Sequence, residues 1–195
     1  MRRSKSSLLL IGATALLALA ACSKAPVATA PSAPAEPSPF HPTASVIDLM
    51  SGQIDPAADF LWDSVATITG PKGTEERQPR TDKEWAEVRR QALILIEGCN
   101  LLMMEGRHVA APGQTLENPP GKGDLAPADA EKQIAAERAS FVAYAQNLQQ
   151  SAQQALKAIE ARDTAAFLEA GGSIDEACEV CHTKFWYPGG GTPKS

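Results

Sequence analysis

The chain has 195 residues, of which 18 are Lys or Arg and 23 are Asp or Glu, so its formal net charge at pH 7 is −5. This acidic balance argues against nucleic acid as a partner, because binding phosphates requires an excess of basic side chains. Aromatic residues make up only 5% of the chain, so a core must be built mainly from Ala, Leu, Ile and Val.

The first 21 residues have the pattern of an export signal. Three basic residues stand at its start, and an apolar run from Leu8 to Leu19, short for a transmembrane helix, follows them. The segment ends in Leu19-Ala20-Ala21-Cys22, which resembles a bacterial lipobox and implies cleavage before Cys22 and acylation of that cysteine. The alternative is an ordinary secretory signal in which Cys22 stands by chance.

On the lipobox interpretation, the protein is exported and anchored to a membrane by lipid on Cys22. Ser23 follows the cysteine, and the lack of an acidic residue there favours the outer membrane over the inner one. Cleavage removes three basic residues and no acidic ones, which changes the formal net charge from −5 to −8. We therefore expect protein partners in the periplasm that meet this surface through complementary charge.

The segment after the signal is rich in Pro, Ala and Ser and has hardly any apolar periodicity. Residues 22–42 are therefore predicted to be a disordered tether that begins with the lipidated cysteine. His41 lies in this tether and is expected to be solvated. A single domain is predicted over residues 43–187, followed by a flexible tail over residues 188–195.

The first helical segment of the domain is predicted over residues 43–68, with a break at Asp55-Pro56, an N-cap followed by Pro at the first helical position. Gly70-Pro71 ends it, and a polar loop follows. Its predicted buried face contains apolar residues at helical spacing: Val46, Leu49, Met50, Ile54, Phe60, Leu61, Val65 and Ile68.

The second helix is predicted to begin after Thr81, an N-cap with Glu84 three residues on, and to end at Gly106. Its predicted buried face contains Trp85, Val88, Ala92, Leu95, Cys99, Leu102 and Met103. Residues 106–125 are rich in Gly and Pro and are predicted to form a long connection. His108 lies in this connection and is expected to be exposed.

The third helix is predicted over residues 127–162 and the fourth over residues 164–186. Their predicted buried faces contain Ile134, Phe141, Ala145, Leu148, Ala152, Leu156 and Ile159 in the third helix, and Phe167, Leu168, Ile174 and Ala177 in the fourth. No alternating strand pattern is recognised. Four amphipathic helices around one core predict an all-α fold, an antiparallel four-helix bundle.

The fourth helix contains Cys178-Glu179-Val180-Cys181-His182, which has the Cys-x-x-Cys-His spacing of covalent c-type haem attachment. At such a site, two thiols add to the vinyl groups of the porphyrin as thioethers, and the imidazole of the next residue binds the iron. The motif therefore predicts one covalent haem c on the last helix, held by Cys178 and Cys181, with His182 as the proximal ligand.

Other uses of the cysteine pair agree less well with the rest of the sequence. A thioredoxin-type redox pair is expected near a βαβ pattern, and none is recognised. A zinc site needs a second ligand pair, but Cys22 and Cys99 are far apart and solitary. A buried disulfide would leave His182 unexplained. Cys99, on an apolar helix face, is expected to be a small buried residue, and no structural disulfide is predicted.

The helices and the position of the motif resemble the class II c-type cytochromes, the cytochrome c prime group. The resemblance covers residues 43–187 and is most evident over 158–164 (AIEARDT) and 174–182 (IDEACEVCH). It implies a four-helix bundle with haem on its C-terminal helix, whereas a class I cytochrome carries the motif near its N-terminus. In one respect the chain departs from the group, whose members usually have Arg near a haem propionate shortly after the histidine. Residues 185–187 here are Phe, Trp and Tyr.

The resemblance also implies two kinds of iron site. In some members a methionine of the first helix binds the iron opposite the histidine, and in others an apolar residue leaves a five-coordinate iron that binds small gases. Met50 falls at this position and is the candidate distal ligand. The alternative for Met50 is core packing, which is also the first expectation for Met103 and Met104.

Together these inferences predict a lipid-anchored monohaem electron carrier on the periplasmic side of the membrane, with His182 and Met50 on the iron. Its expected partners are redox proteins, and the resemblance adds a homodimer as a further expectation. No constellation for substrate turnover is recognised, so the protein is not expected to be an enzyme. The alternatives are a gas-binding or gas-sensing haem protein and a structural lipoprotein module without haem.

Overall fold

The computed structural model of the protein describes residues 39–114, 121 and 123–189. The predicted signal peptide, Cys22 and most of the tether lie outside the described residues, as do residues 190–195 of the predicted tail. The last residues of the tether that are described, including His41, are irregular in conformation, and His41 is exposed.

The described part of the chain is mostly helical, as predicted for an all-α protein. Its elements in chain order are α1 (Val46–Leu49), a π-helix (Met50–Ile54), α2 (Asp55–Ser64), β1 (Ala66–Gly70), β2 (Gly73–Arg77), α3 (Asp82–Leu102), α4 (Pro127–Ala136), α5 (Arg138–Ala161) and α6 (Thr164–Phe185). Between α3 and α4 the described residues form no helix or strand, which agrees with the predicted connection. No helix among the described residues is long and apolar enough to cross a membrane.

The core lies where the longer helices pack against one another. The packed pairs are α2 with α3, α3 with α5, α5 with α6, and α2 with α6. The largest fully buried side chains come from these elements and are Phe167, Leu61, Leu95, Ile174, Val88 and Cys99. In each helix the buried residues recur every three or four positions, so burial of one apolar face stabilises the helical conformation.

The second predicted helix corresponds to α3, and its predicted capping box is present. The Thr81 hydroxyl accepts a hydrogen bond from the Glu84 N–H at 3.2 Å, and the Glu84 carboxylate accepts one from the Thr81 N–H at 2.8 Å. The helix ends at Leu102, earlier than predicted. The residues assigned to its buried face are buried, except Met103, which is half-buried at the helix end.

The third predicted helix is two helices, because the backbone breaks at Glu137 (φ −121°, ψ 39°) between α4 and α5. Side chains around the break bind other parts of the chain. Gln133 donates to the Lys184 carbonyl at 2.7 Å, and the Glu137 carboxylate pairs with the Lys184 ammonium at 2.8 Å. Arg138 donates to the Met103 carbonyl. These tertiary contacts accompany a break that the helical periodicity alone does not reveal.

The prediction that the first helix continues to Ile68, and that the domain has no strands, is wrong. Helix α2 ends at Ser64, and β1 and β2 form an antiparallel hairpin in which Ala66 pairs with Arg77. The β-branched run over residues 67–69 favours an extended backbone. Gly73, at the end of the turn, has φ +113°, which a side chain would disfavour.

Three apolar residues that were assigned to buried faces are exposed: Phe60 (37%), Ile68 (42%) and Leu168 (43%). Ile68 lies in the hairpin. Phe60 and Leu168 each adjoin a fully buried residue, Leu61 and Phe167. Successive helical residues point about 100° apart, so only one member of such a pair lies at the centre of the buried face.

The helix does not break at Asp55-Pro56, and Asp55 is not an N-cap. A π-helix over Met50–Ile54 joins α1 to α2 at this point. Asp55 lies inside the helical rod, and its N–H donates to the Met50 carbonyl, five residues back. Pro56 lacks an N–H, and its ring would clash with the carbonyl four residues earlier in a regular α-helix. The wider π-turn relieves this conflict without ending the helix.

Candidate functional site

A cavity of about 510 Å³ lies between α6, α5 and the segment formed by the π-helix and α2. Its volume is within the range of cofactor sites. From α6 it is lined by Cys178, Cys181 and His182, and from the π-helix by Met50. The structure thus brings together at one site the four residues that the sequence singled out for haem.

The motif residues share one face of α6 because positions i, i+3 and i+4 of a helix are neighbours. Cys178, Cys181 and His182 have this spacing and are all partly buried at the cavity. Val180, between the cysteines, is 37% exposed. The helix therefore presents two sulfur atoms and one imidazole together, with the intervening residues spanning the distance along the chain.

Burial governs the protonation of these groups. It raises the pKa of Cys178 to about 12 and that of Cys181 to about 11, and both are free thiols. Burial also lowers the pKa of His182, which favours the neutral imidazole that binds metals. Cys99 of α3 is likewise a free thiol, fully buried as predicted, and burial raises its pKa to about 12.

The cavity wall is apolar on α5 and combines apolar and acidic residues elsewhere. From α5 the lining residues are Phe141, Tyr144, Ala145 and Leu148. Five carboxylates also line it: Asp55, Asp59, Asp124, Asp175 and Glu179. No Lys or Arg is among the lining residues that the structure describes. Burial, together with the neighbouring charges of Asp55 and Asp63, raises the pKa of Asp59.

The residues after α6 turn back over the imidazole of His182. The N–H groups of Trp186 and Tyr187 donate to the His182 carbonyl at 2.8 and 2.9 Å. The Trp186 ring meets the imidazole edge to face, with centroids 5.0 Å apart. The Tyr187 hydroxyl donates to the Glu179 carboxylate at 2.6 Å. Where the cytochrome c prime group usually has Arg, this chain therefore places aromatic rings beside His182.

Trp62 is a cavity residue that the sequence analysis missed. Its indole N–H donates to the Gly171 carbonyl of α6 at 3.0 Å, which joins α2 to the helix of the motif. Trp62 packs closely against α6 here, since a Cβ at Gly171 would lie 3.4 Å from Trp62 Cδ1. The signal was in the sequence, because Met50, Ile54, Ala58 and Trp62 recur every four residues and all line the cavity.

The remaining candidates lie elsewhere among the described residues. His108 is exposed, as expected, and its Nδ1 is 2.8 Å from the Glu131 carboxylate. Met103 and Met104 are half-buried after the end of α3, and neither lines the cavity. Within the described part of the chain, no group of three or more His, Cys, Asp or Glu residues has the arrangement of a metal site.

The donor set of the cavity fits a haem of the c type. Two thiols face it for thioether bonds, and a neutral imidazole and a thioether sulfur line it from two different elements. The apolar side chains of α5 suit a porphyrin face. This fit depends on the chemistry of the lining residues and on the cavity volume.

Residues 111–186 match the model of the family described as Cytochrome C'. This part of the chain is cytochrome c prime-like. The matched range contains α4, α5 and the haem motif of α6, and supports a class II haem cytochrome. The cytochrome c prime-like range does not include Met50, so the match carries no information about the distal ligand. No curated protein and no solved structure matches the chain.

Proposed function

We propose that the protein is a monohaem c-type cytochrome that carries single electrons. The observation that carries this proposal is the shared cavity, in which Met50 of the π-helix and the motif of α6 line the same space. Cys178 and Cys181 would hold the haem through thioether bonds, with His182 and Met50 on the iron. When bound, the haem supplies an iron that alternates between the ferrous and ferric states.

The residues of the chain set the conditions for this chemistry. A methionine thioether stabilises ferrous iron and raises the reduction potential. Both axial ligands belong to helices packed in the core, which limits rearrangement between oxidation states. Phe141, Tyr144 and Leu148 cover part of the cavity with mostly apolar surface, which would limit the access of water to a bound haem. We further propose that α2, α3, α5 and α6 form the antiparallel four-helix bundle, which is supported by their pairwise packing.

The negative charge of the site supports the proposal that the partners are proteins with basic surfaces. Five carboxylates and no described Lys or Arg line the cavity, and cleavage of the signal would bring the chain to a net charge of −8. Electron exchange would therefore be fastest with positively charged redox proteins and would slow as salt screens the attraction. The N-terminal sequence supports export and a lipid anchor on Cys22. Since the sequence contains no recognised constellation for substrate turnover, we do not propose an enzymatic activity.

The decisive experiment is an optical spectrum of protein matured in the periplasm. A low-spin spectrum with the weak near-infrared sulfur-to-iron band is expected, because Met50 would supply the sulfur. Met50→Ala is expected to abolish this band and to lower the reduction potential, while covalent haem remains. Met103→Ala is the matched control, since Met103 is a methionine outside the cavity, and it is expected to keep the band.

Two outcomes would contradict the proposal. A high-spin spectrum that shifts promptly with carbon monoxide would indicate an open distal site and the gas-binding alternative. Covalent pigment held by two thioethers after Cys181→Ala would show that the motif does not attach the haem.

A further inference from the structure

We propose that Tyr187 keeps the reduction potential of the haem high by binding the Glu179 carboxylate, which would otherwise accept a hydrogen bond from the imidazole of His182. The inference rests on the proposed function, because it requires His182 on the iron. It makes Tyr187 a positioning residue, which acts on the iron through the carboxylate and the imidazole.

Among the described residues, nothing supplies the hydrogen bond that a metal-bound histidine usually makes. Such a histidine donates its second ring N–H to a carboxylate, a carbonyl or a water, which orients the ring and raises its basicity. None of the residues that the structure describes hydrogen-bonds to a ring nitrogen of His182. Its ring neighbours are aromatic instead, since the centroids of Trp186 and Tyr187 lie 5.0 and 6.0 Å from that of the imidazole. Within the described part of the chain, packing therefore holds the ring where an acceptor usually would.

Glu179 is a carboxylate placed to serve as that acceptor. It lies three residues before His182 in α6, so the two side chains are neighbours on the helix surface, and both line the cavity. Burial lowers the pKa of His182, and the negative charge of Glu179 opposes this effect more strongly than that of Asp55 does. Glu179 therefore acts on the imidazole through its charge, although no hydrogen bond joins the two side chains.

Tyr187 holds this carboxylate. Its hydroxyl donates to Glu179 Oε2 at 2.6 Å, a length typical of the strong bond between a hydroxyl and a charged carboxylate. Tyr187 is 5% exposed, and its N–H donates to the His182 carbonyl at 2.9 Å. The carbonyl of the adjoining Trp186 accepts from the Leu125 N–H at 2.7 Å. Burial and backbone hydrogen bonds thus fix the phenol, and the phenol fixes the carboxylate.

The consequence for the iron follows from the basicity of its ligand. An imidazole that donates to a carboxylate becomes a stronger ligand and stabilises ferric iron, which lowers the reduction potential. With Glu179 bound to the Tyr187 hydroxyl, the imidazole of His182 keeps its neutral character, which favours ferrous iron. The methionine thioether of the proposed function acts in the same direction.

The test is the reduction potential of Tyr187→Phe, measured by spectroelectrochemical titration of the full chain matured with haem. The substitution keeps the buried ring and removes the hydroxyl alone. The expected result is a shift to lower potential, with covalent haem and helical circular dichroism retained, because Glu179 is released toward His182. An unchanged or higher potential would overturn the proposal.

A second comparison separates this role from packing. In a Glu179→Gln background, Tyr187→Phe is expected to shift the potential much less, because a neutral amide replaces the carboxylate and the two side chains act as a pair. Glu176→Gln is the matched control background, since Glu176 is exposed on the same helix and does not line the cavity, and the full shift is expected there. Equal shifts in the two backgrounds would show that the phenol acts through packing and not through Glu179, which would also overturn the proposal.

Failure of the proposed function looks different from failure of this inference. The former would appear in the unmodified protein, as absent covalent haem or as a high-spin iron. The latter would appear only when the potentials of the variants are compared, in a protein that carries its haem.

Discussion

Phe167 and Leu168 are adjacent in α6, yet Phe167 is fully buried and Leu168 is 43% exposed. We expect Phe167→Ala to lower the free energy of unfolding by about 3–5 kcal/mol, because it removes buried apolar surface and leaves a cavity in the core. Leu168→Ala should lower it by less than about 1 kcal/mol. Urea unfolding of the two holoproteins measures both values. Equal losses would show that the two side chains contribute equally to packing.

Single residues were predictable from the sequence where chemistry fixes their spacing. The Cys-x-x-Cys-His spacing singled out Cys178, Cys181 and His182, and the structure brings the three together at one cavity. Met50 was found through the family resemblance, and the structure places it at the same cavity. The Tyr187–Glu179 hydrogen bond was not predictable, because it depends on how the chain turns back after α6.

At the scale of an element, the start of α3 links stability to pH. Hydrogen bonds from the N–H groups of Arg80 and Thr81 hold the pKa of Glu84 below its ordinary value of 4.5. A carboxyl whose pKa is lowered in the folded state stabilises the protein above its unfolded pKa, and this stabilisation is lost as the pH falls through the folded pKa.

We therefore expect the free energy of unfolding to fall with pH below about 4.5, with a share of that decrease due to Glu84. Glu84→Gln should be less stable at pH 7 and should show a shallower decrease in acid. Thr81→Ser keeps the hydroxyl of the capping box and should retain the original pH dependence. Urea unfolding from pH 7 to pH 3 measures all three proteins, and parallel curves for Glu84→Gln and the unmodified protein would contradict the assignment.

The bounds of an element were predicted well where local sequence signals agree with one another. They were predicted less well where contacts with distant residues determine where the element ends. Helices α3 and α6 were predicted within a few residues, because each has a regular apolar face and a capping box precedes α3. The break at Glu137 coincides with contacts to distant parts of the chain, which periodicity does not show. The hairpin did leave a local signal, since residues 67–69 are β-branched and glycines flank the turn.

At the scale of the whole molecule, the hairpin is separable from the core. Every residue of β2 is exposed, and in β1 only Ala66 is half-buried. We expect replacement of residues 67–76 by a short Gly-Ser linker to change the free energy of unfolding by less than about 1 kcal/mol, because loop closure depends weakly on loop length. The haem spectrum should not change. A large loss of stability, or a shifted spectrum, would show that the hairpin supports the cavity.

The placement of the two sides of the cavity also bears on how the protein is made. Met50 lies near the start of the domain, whereas the attachment motif lies on α6, which leaves the ribosome after the other described helices. A chain that stops between residues 162 and 177 contains the elements from α1 to α5 and lacks both attachment cysteines. On the proposed function, no such fragment can take up pigment. The red colour of a cell fraction would therefore report only chains that extend through the motif, whereas an antibody against the earlier helices would detect these chains and shorter fragments alike.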